Sequence, residues 1–75
     1  MKRVINGKVY DTEKSEIIYI EPNKRRTYYM TKNHAFFVVY KTGELAVKTE
    51  EEIRELLGMY DYDKYVEIFG EPEEA

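Results

Sequence analysis

The alternation of apolar and polar positions divides this chain at Thr49. Before it, apolar runs of strand length are separated by turn pairs; after it, apolar residues recur at three- and four-residue spacing. Arg3-Val4-Ile5 and Lys8-Val9-Tyr10 flank Asn6-Gly7, a pair suited to the two positive φ angles of a type I′ turn, which predicts a tight hairpin. Glu16–Glu21 (EIIYIE) reads as a strand ending at Pro22-Asn23, and its Ile17-Ile18 start also permits a short helix from Thr12 or Ser15. Strands follow at Arg26–Thr31, Ala35–Lys41 and Glu44–Lys48, separated by turns at Asn33-His34 and Thr42-Gly43. Short connections between such strands predict an antiparallel meander.

Thr49-Glu50-Glu51-Glu52 has the form of a capping box, with acids placed at the positive end of a helix dipole. Ile53, Leu56, Leu57 and Tyr60 then form one helical stripe, which Gly58 weakens or ends early. Asp61 can cap a second helix carrying Tyr62, Tyr65, Val66 and Phe69 on one side, with Gly70 and Pro72 as its stop. Strands followed by helices predict an α+β fold: a β-meander of about four to five strands, then a C-terminal helical hairpin packed on the sheet. Residues 1–70 make one domain and 71–75 an acidic tail.

One strand breaks the alternation. In Ala35–Tyr40, Ala35, Phe37 and Val39 point one way and Phe36, Val38 and Tyr40 the other, so both faces are apolar. The helices can cover one face. The other needs either the N-terminal hairpin, through Val4, Val9 and Tyr10, or a second copy in a homodimer.

Charge sharpens the division. Residues 1–48 hold ten Lys/Arg against five Asp/Glu, 10 − 5 = +5; residues 49–75 hold two against ten, 2 − 10 = −8; the sum is the net −3 of the chain. Such asymmetry predicts two different faces offered to partners. A chain of 75 residues has a thin core, and without cysteine it has neither disulfide nor thiolate metal site. The N-terminus has no apolar stretch of signal-peptide length, and the longest apolar run, Ala35–Tyr40, is far short of a membrane span. These features predict a cytoplasmic protein with no membrane association.

The residues of catalysis are sparse. His34 is the only imidazole and falls in a turn; Ser15 is the only serine and lacks a Gly-x-Ser-x-Gly setting; the four glycines form no phosphate loop. Glu50, Glu51 and Glu52 project around a helix rather than to one point, which suits capping and not metal binding. No catalytic residue, metal ligand or cofactor is expected. Binding is the better fit. Asp61, Tyr62, Asp63, Tyr65 and Glu67, with Tyr60, read as an aromatic-acidic strip on the second helix, a surface for a basic protein partner or one able to imitate a phosphate backbone. The competing site is Arg25, Arg26, Tyr28 and Tyr29, a basic-aromatic pairing suited to single-stranded nucleic acid.

Three stretches carry a resemblance: Asn6–Thr12 (NGKVYDT), Thr49–Leu57 (TEEEIRELL) and Tyr65–Glu71 (YVEIFGE), with a looser match over Tyr29–Tyr40. In this order they resemble a group of small proteins of Firmicutes, their phages and their plasmids, a group without an established activity. This chain has only Lys41–Glu44 where longer members carry a glycine-rich insertion. The resemblance implies a mobile-element setting, in which small acidic proteins are often inhibitors of host defence, anti-CRISPR proteins among them. The expectation is a non-enzymatic inhibitor or modulator that binds a host protein.

Overall fold

The computed structural model describes residues 1–75. Strands β1 (Lys2–Ile5) and β2 (Lys8–Asp11) form an antiparallel hairpin, and a single 3₁₀ turn, Thr12–Lys14, leads out of it. Strands β3 (Glu16–Ile20), β4 (Arg26–Met30), β5 (Phe36–Tyr40) and β6 (Leu45–Lys48) form a four-stranded antiparallel meander in sequence order. Helices α1 (Glu50–Tyr60) and α2 (Tyr62–Phe69) follow. This is the expected α+β architecture.

Local chemistry sets the boundaries. Asn6 and Gly7 have φ of 51° and 76°, as a type I′ turn requires. Thr49 Oγ1 accepts from the Glu52 N–H, and Glu52 accepts from the Thr49 N–H in return, so two orphan donors of α1 are satisfied. Asp61 ends α1 and starts α2, its carboxylate accepting from the Lys64 N–H at 3.2 Å. Gly70 stops α2 with φ 85°.

Glu16–Ile20 is a strand, as EIIYIE predicts, and the helix that its start also permits is reduced to the 3₁₀ turn Thr12–Lys14. Helix α1 does not end at Gly58 but runs on to Tyr60. Gly58 lies across from the Tyr65 ring of α2, which a Cβ at this position would meet at 3.8 Å, an ordinary contact.

The double-sided character of β5 is satisfied from both directions. On the helix side, Phe36 and Val38 pack with Ile18, Tyr28, Ile53 and Leu57 into the main core. On the far side, Phe37 is fully buried between Tyr29, stacked at 5.0 Å, and Tyr10, edge-on at 5.5 Å. The hairpin is therefore the cover, through Tyr10; Val4 and Val9 stay exposed. A bulge in β3 serves the same partition. The register passes from Ile17↔Tyr29 to Tyr19↔Tyr28, which sends both Ile18 and Tyr19 to the helix side and Ile20 to the far side beside Thr27. Strict alternation could not bury Ile18 and Tyr19 together.

Only nine residues are buried, so a few contacts carry the fold. Complete burial of side chains such as Phe37, Val38, Ile53 and Leu57 contributes about 1.5–3 kcal/mol each. Polar ties assist. Arg54 donates to Glu50 at 3.0 Å and to the Tyr65 hydroxyl at 3.1 Å, with its guanidinium 4.3 Å from the Phe69 ring centre, so it joins α1 to α2. Lys64 donates to Glu16 and to Glu67, each at 2.8 Å, joining α2 to β3. No helix is long and apolar enough to cross a membrane.

Candidate functional site

The charge division survives folding. Of the ten acids from Thr49 onward, Glu50, Glu52 and Glu67 form ion pairs, leaving 10 − 3 = 7 without one. Of the ten bases up to Lys48, only Arg26 and Lys48 are paired, leaving 10 − 2 = 8. Both cations of the acidic segment, Arg54 and Lys64, are committed to internal ties. Their partners hold them charged: hydrogen bonds that Arg54 donates to Glu50, then Tyr65, push its pKa up, and those that Lys64 donates to Glu16, then Glu67, do the same for Lys64. The acidic helices cover the Phe36–Val38 face, and the basic hairpin lies over Phe37 on the opposite face. The molecule thus presents an acidic layer and a basic layer with a sheet between them.

On the acidic layer the residues of the sequence-derived strip separate into two roles. Asp61 is the cap of α2, and Tyr65 packs on Phe69 at 5.2 Å while accepting from Arg54, so both serve the fold. Glu67 is held by Lys64 but lies on the surface. Tyr62 and Asp63 face solvent. Beside them are Tyr60, which the sequence offers both to the strip and to the apolar stripe, and Met59, which it does not single out. Tyr60, on the stripe expected to be buried, is 63% exposed: one ring face stacks on Tyr19 at 6.1 Å and the rest is open. Met59 is 72% exposed. Its signal in the sequence was a large apolar residue off the Ile53–Leu56–Leu57 stripe. Partial burial, then the neighbouring Tyr60, pushes the Tyr19 phenol pKa up.

Next to this corner runs a groove of about 340 Å³ between α1 and the sheet, lined by Tyr28, Ile53, Leu56, Met59 and Tyr60 with Lys48, Glu52 and Glu55 at its polar edge. An apolar floor with acids beside it can receive an apolar side chain flanked by a base. The Glu52 carboxyl is held below the usual carboxylate range, first by the Thr49 N–H and then by Lys48 and the Thr49 hydroxyl.

The alternative set does not converge. Arg25 and Arg26 lie at the β3–β4 turn, where Arg26 faces Glu21 at 3.7 Å and its guanidinium is 5.6 Å from the Tyr40 ring centre. Tyr28 and Tyr29 point to opposite faces, as consecutive strand residues must. Tyr28 is in the helix-side core and Tyr29 lies flat on Phe37, so the pair cannot form one stacking platform. His34 is exposed in a left-handed turn with φ 59°, and Ser15 donates its hydroxyl to the Asp11 carbonyl at 2.7 Å. No group of His, Cys, Asp and Glu is placed to hold a metal ion. Comparison of the chain with protein-family models, with curated proteins and with solved structures gives no match.

Proposed function

We propose that this protein acts by binding another protein through the corner formed by Met59, Tyr60, Tyr62 and Asp63 and the adjoining groove on α1. The observation that carries this reading is the exposure of two tyrosines and a methionine together, beside Glu55 and Asp63, acids that no internal cation neutralises. Exposed aromatic residues of this kind supply anchors of large area and low conformational cost, while the surrounding acids steer and orient a basic partner. The resemblance to proteins of Firmicutes phages and plasmids supports a mobile-element setting, and with it the role of an inhibitor or modulator of a host protein, of the anti-defence type.

The experiment is a tagged capture from lysate of a Firmicutes host, run with and without nuclease, comparing the wild-type chain with Tyr62→Ala/Asp63→Lys. A stoichiometric protein that survives nuclease and is lost from the variant is the expected result. The same proteins retained by both chains would remove this corner from the account. With a partner in hand, Asp63→Lys/Glu67→Lys should weaken affinity and flatten its dependence on salt.

A further inference from the structure

The basic layer contains a second concave surface. Between the N-terminal hairpin, the 3₁₀ turn and the β4–β5 turn lies a cleft of about 680 Å³ whose rim carries Lys2, Lys8, Lys14 and Lys32. These four side chains come from β1, β2, the 3₁₀ turn and the β4–β5 turn, and none of them forms an ion pair or an intramolecular hydrogen bond. Asp11 is the acid inside the cleft, and it is 7% exposed with Oδ1 accepting from the Glu13 N–H. Four lysines against Asp11 leave 4 − 1 = +3, and counting Glu13 on the adjoining turn still leaves 4 − 2 = +2. Neutral donors line the same wall. Thr31 Oγ1 accepts from the Ala35 N–H at 3.1 Å, which leaves its hydroxyl proton to donate outward, and the Asn33 amide has no partner within the chain.

We propose that this cleft binds the phosphodiester backbone of a single-stranded nucleic acid. Lysines at four separate points of a rim act as mobile point charges along a track of phosphates. One isolated phosphate would instead call for converging backbone N–H groups or a bidentate arginine. A concave slot admits one extended backbone. Tyr10 is buried against Phe37 and offers no open ring face here, so contacts fall on phosphates and binding tolerates sequence. The opposite end of the sheet is the weaker rival: its cleft holds Arg25, Arg26 and Lys41, but also Glu44, and Arg26 already faces Glu21.

The test is fluorescence anisotropy of a labelled oligothymidylate about a dozen nucleotides long, titrated between about 50 and 200 mM salt. Three chains are compared: wild type, Lys8→Ala/Lys32→Ala, and Arg25→Ala/Lys41→Ala, which removes the same charge at the other end. All four positions are exposed, so folding is retained. The cleft variant should raise Kd at least about tenfold and reduce the slope of log affinity against log salt by about 1.4, roughly 0.7 for each lost phosphate contact, with a smaller change in the other variant. Equal losses in the two variants would reduce the effect to net charge and overturn the assignment. So would failure of the wild-type chain to bind, or binding of tripolyphosphate without the oligonucleotide.

Discussion

Replacing Gly58 by alanine should stabilise this protein, although the position looks at first like a helix stop. Gly58 lies inside α1, and its φ is not in the positive region that marks Gly7, Gly43 and Gly70. Alanine is favoured over glycine by about 1 kcal/mol in a helix interior, and by about half of that near an end, as here. The added Cβ would sit 3.8 Å from Tyr65 Cδ2 and 3.9 Å from Cε2, which is ordinary contact and adds no strain. The net expectation is a gain of about 0.5–1 kcal/mol, seen as a rise in Tm of about 2–8 °C for a domain of this size. A larger residue reverses the sign: Gly58→Leu would drive side-chain carbons into the Tyr65 ring and cost about 1–3 kcal/mol. Gly70→Ala is the internal control. At φ 85° and ψ 173° Gly70 occupies a region that side chains avoid, so the same substitution should cost about 1–3 kcal/mol there. Thermal unfolding followed by far-UV circular dichroism measures all three. A destabilised Gly58→Ala would refute the reasoning, because it would mean that α1 and α2 approach more closely than the Tyr65 contact allows.

The other predictions concern the cover over Phe37 and the start of α1. A two-stranded hairpin is not stable alone, and Tyr10 is what seats β1 and β2 on Phe37; Tyr10→Ala should cost about 2–4 kcal/mol and remove amide-exchange protection from Lys2–Asp11 ahead of β4 and β5. Protection unchanged in that hairpin would show that other contacts hold it. Thr49→Ala should cost about 1 kcal/mol by removing the cap of α1. Because the folded state depresses the Glu52 carboxyl, its contribution is fully present above the ordinary glutamate pKa and lost as pH falls through the folded value. The difference between wild type and Glu52→Gln in denaturant titrations should therefore narrow in acid; a constant gap would contradict the Glu52–Thr49 linkage.

Features that depend on neighbours in sequence were legible before the fold. The Asn6-Gly7 turn, the Thr49–Glu52 box and the Asp61 cap each involve residues within three positions, so their chemistry is written locally. The two-sided strand Ala35–Tyr40 was legible as a problem, with two possible covers, because the sequence shows what must be buried but not by what. Features that depend on distant contacts were not legible. The continuation of α1 past Gly58 is visible only in the fold, as is the β3 bulge, which follows from burying Ile18 and Tyr19 on one side. The aromatic strip divides in the fold for the same reason. Tyr65 faces inward because Arg54 and Phe69 meet it there, whereas Tyr60 remains open with Met59. The lysine cleft gathers residues 2, 8, 14 and 32, which no periodicity relates; hairpin closure and seating on Phe37 bring them together.

Photo-crosslinking from the corner tests the central claim most directly. A benzoylphenylalanine placed at Tyr62, and separately at exposed Val4 on the far side, would be irradiated in nuclease-treated lysate of a Firmicutes host. The account predicts one discrete protein adduct from position 62, absent from position 4 and diminished by adding Asp63→Lys. Equal adducts from both positions, or none from position 62, would contradict it.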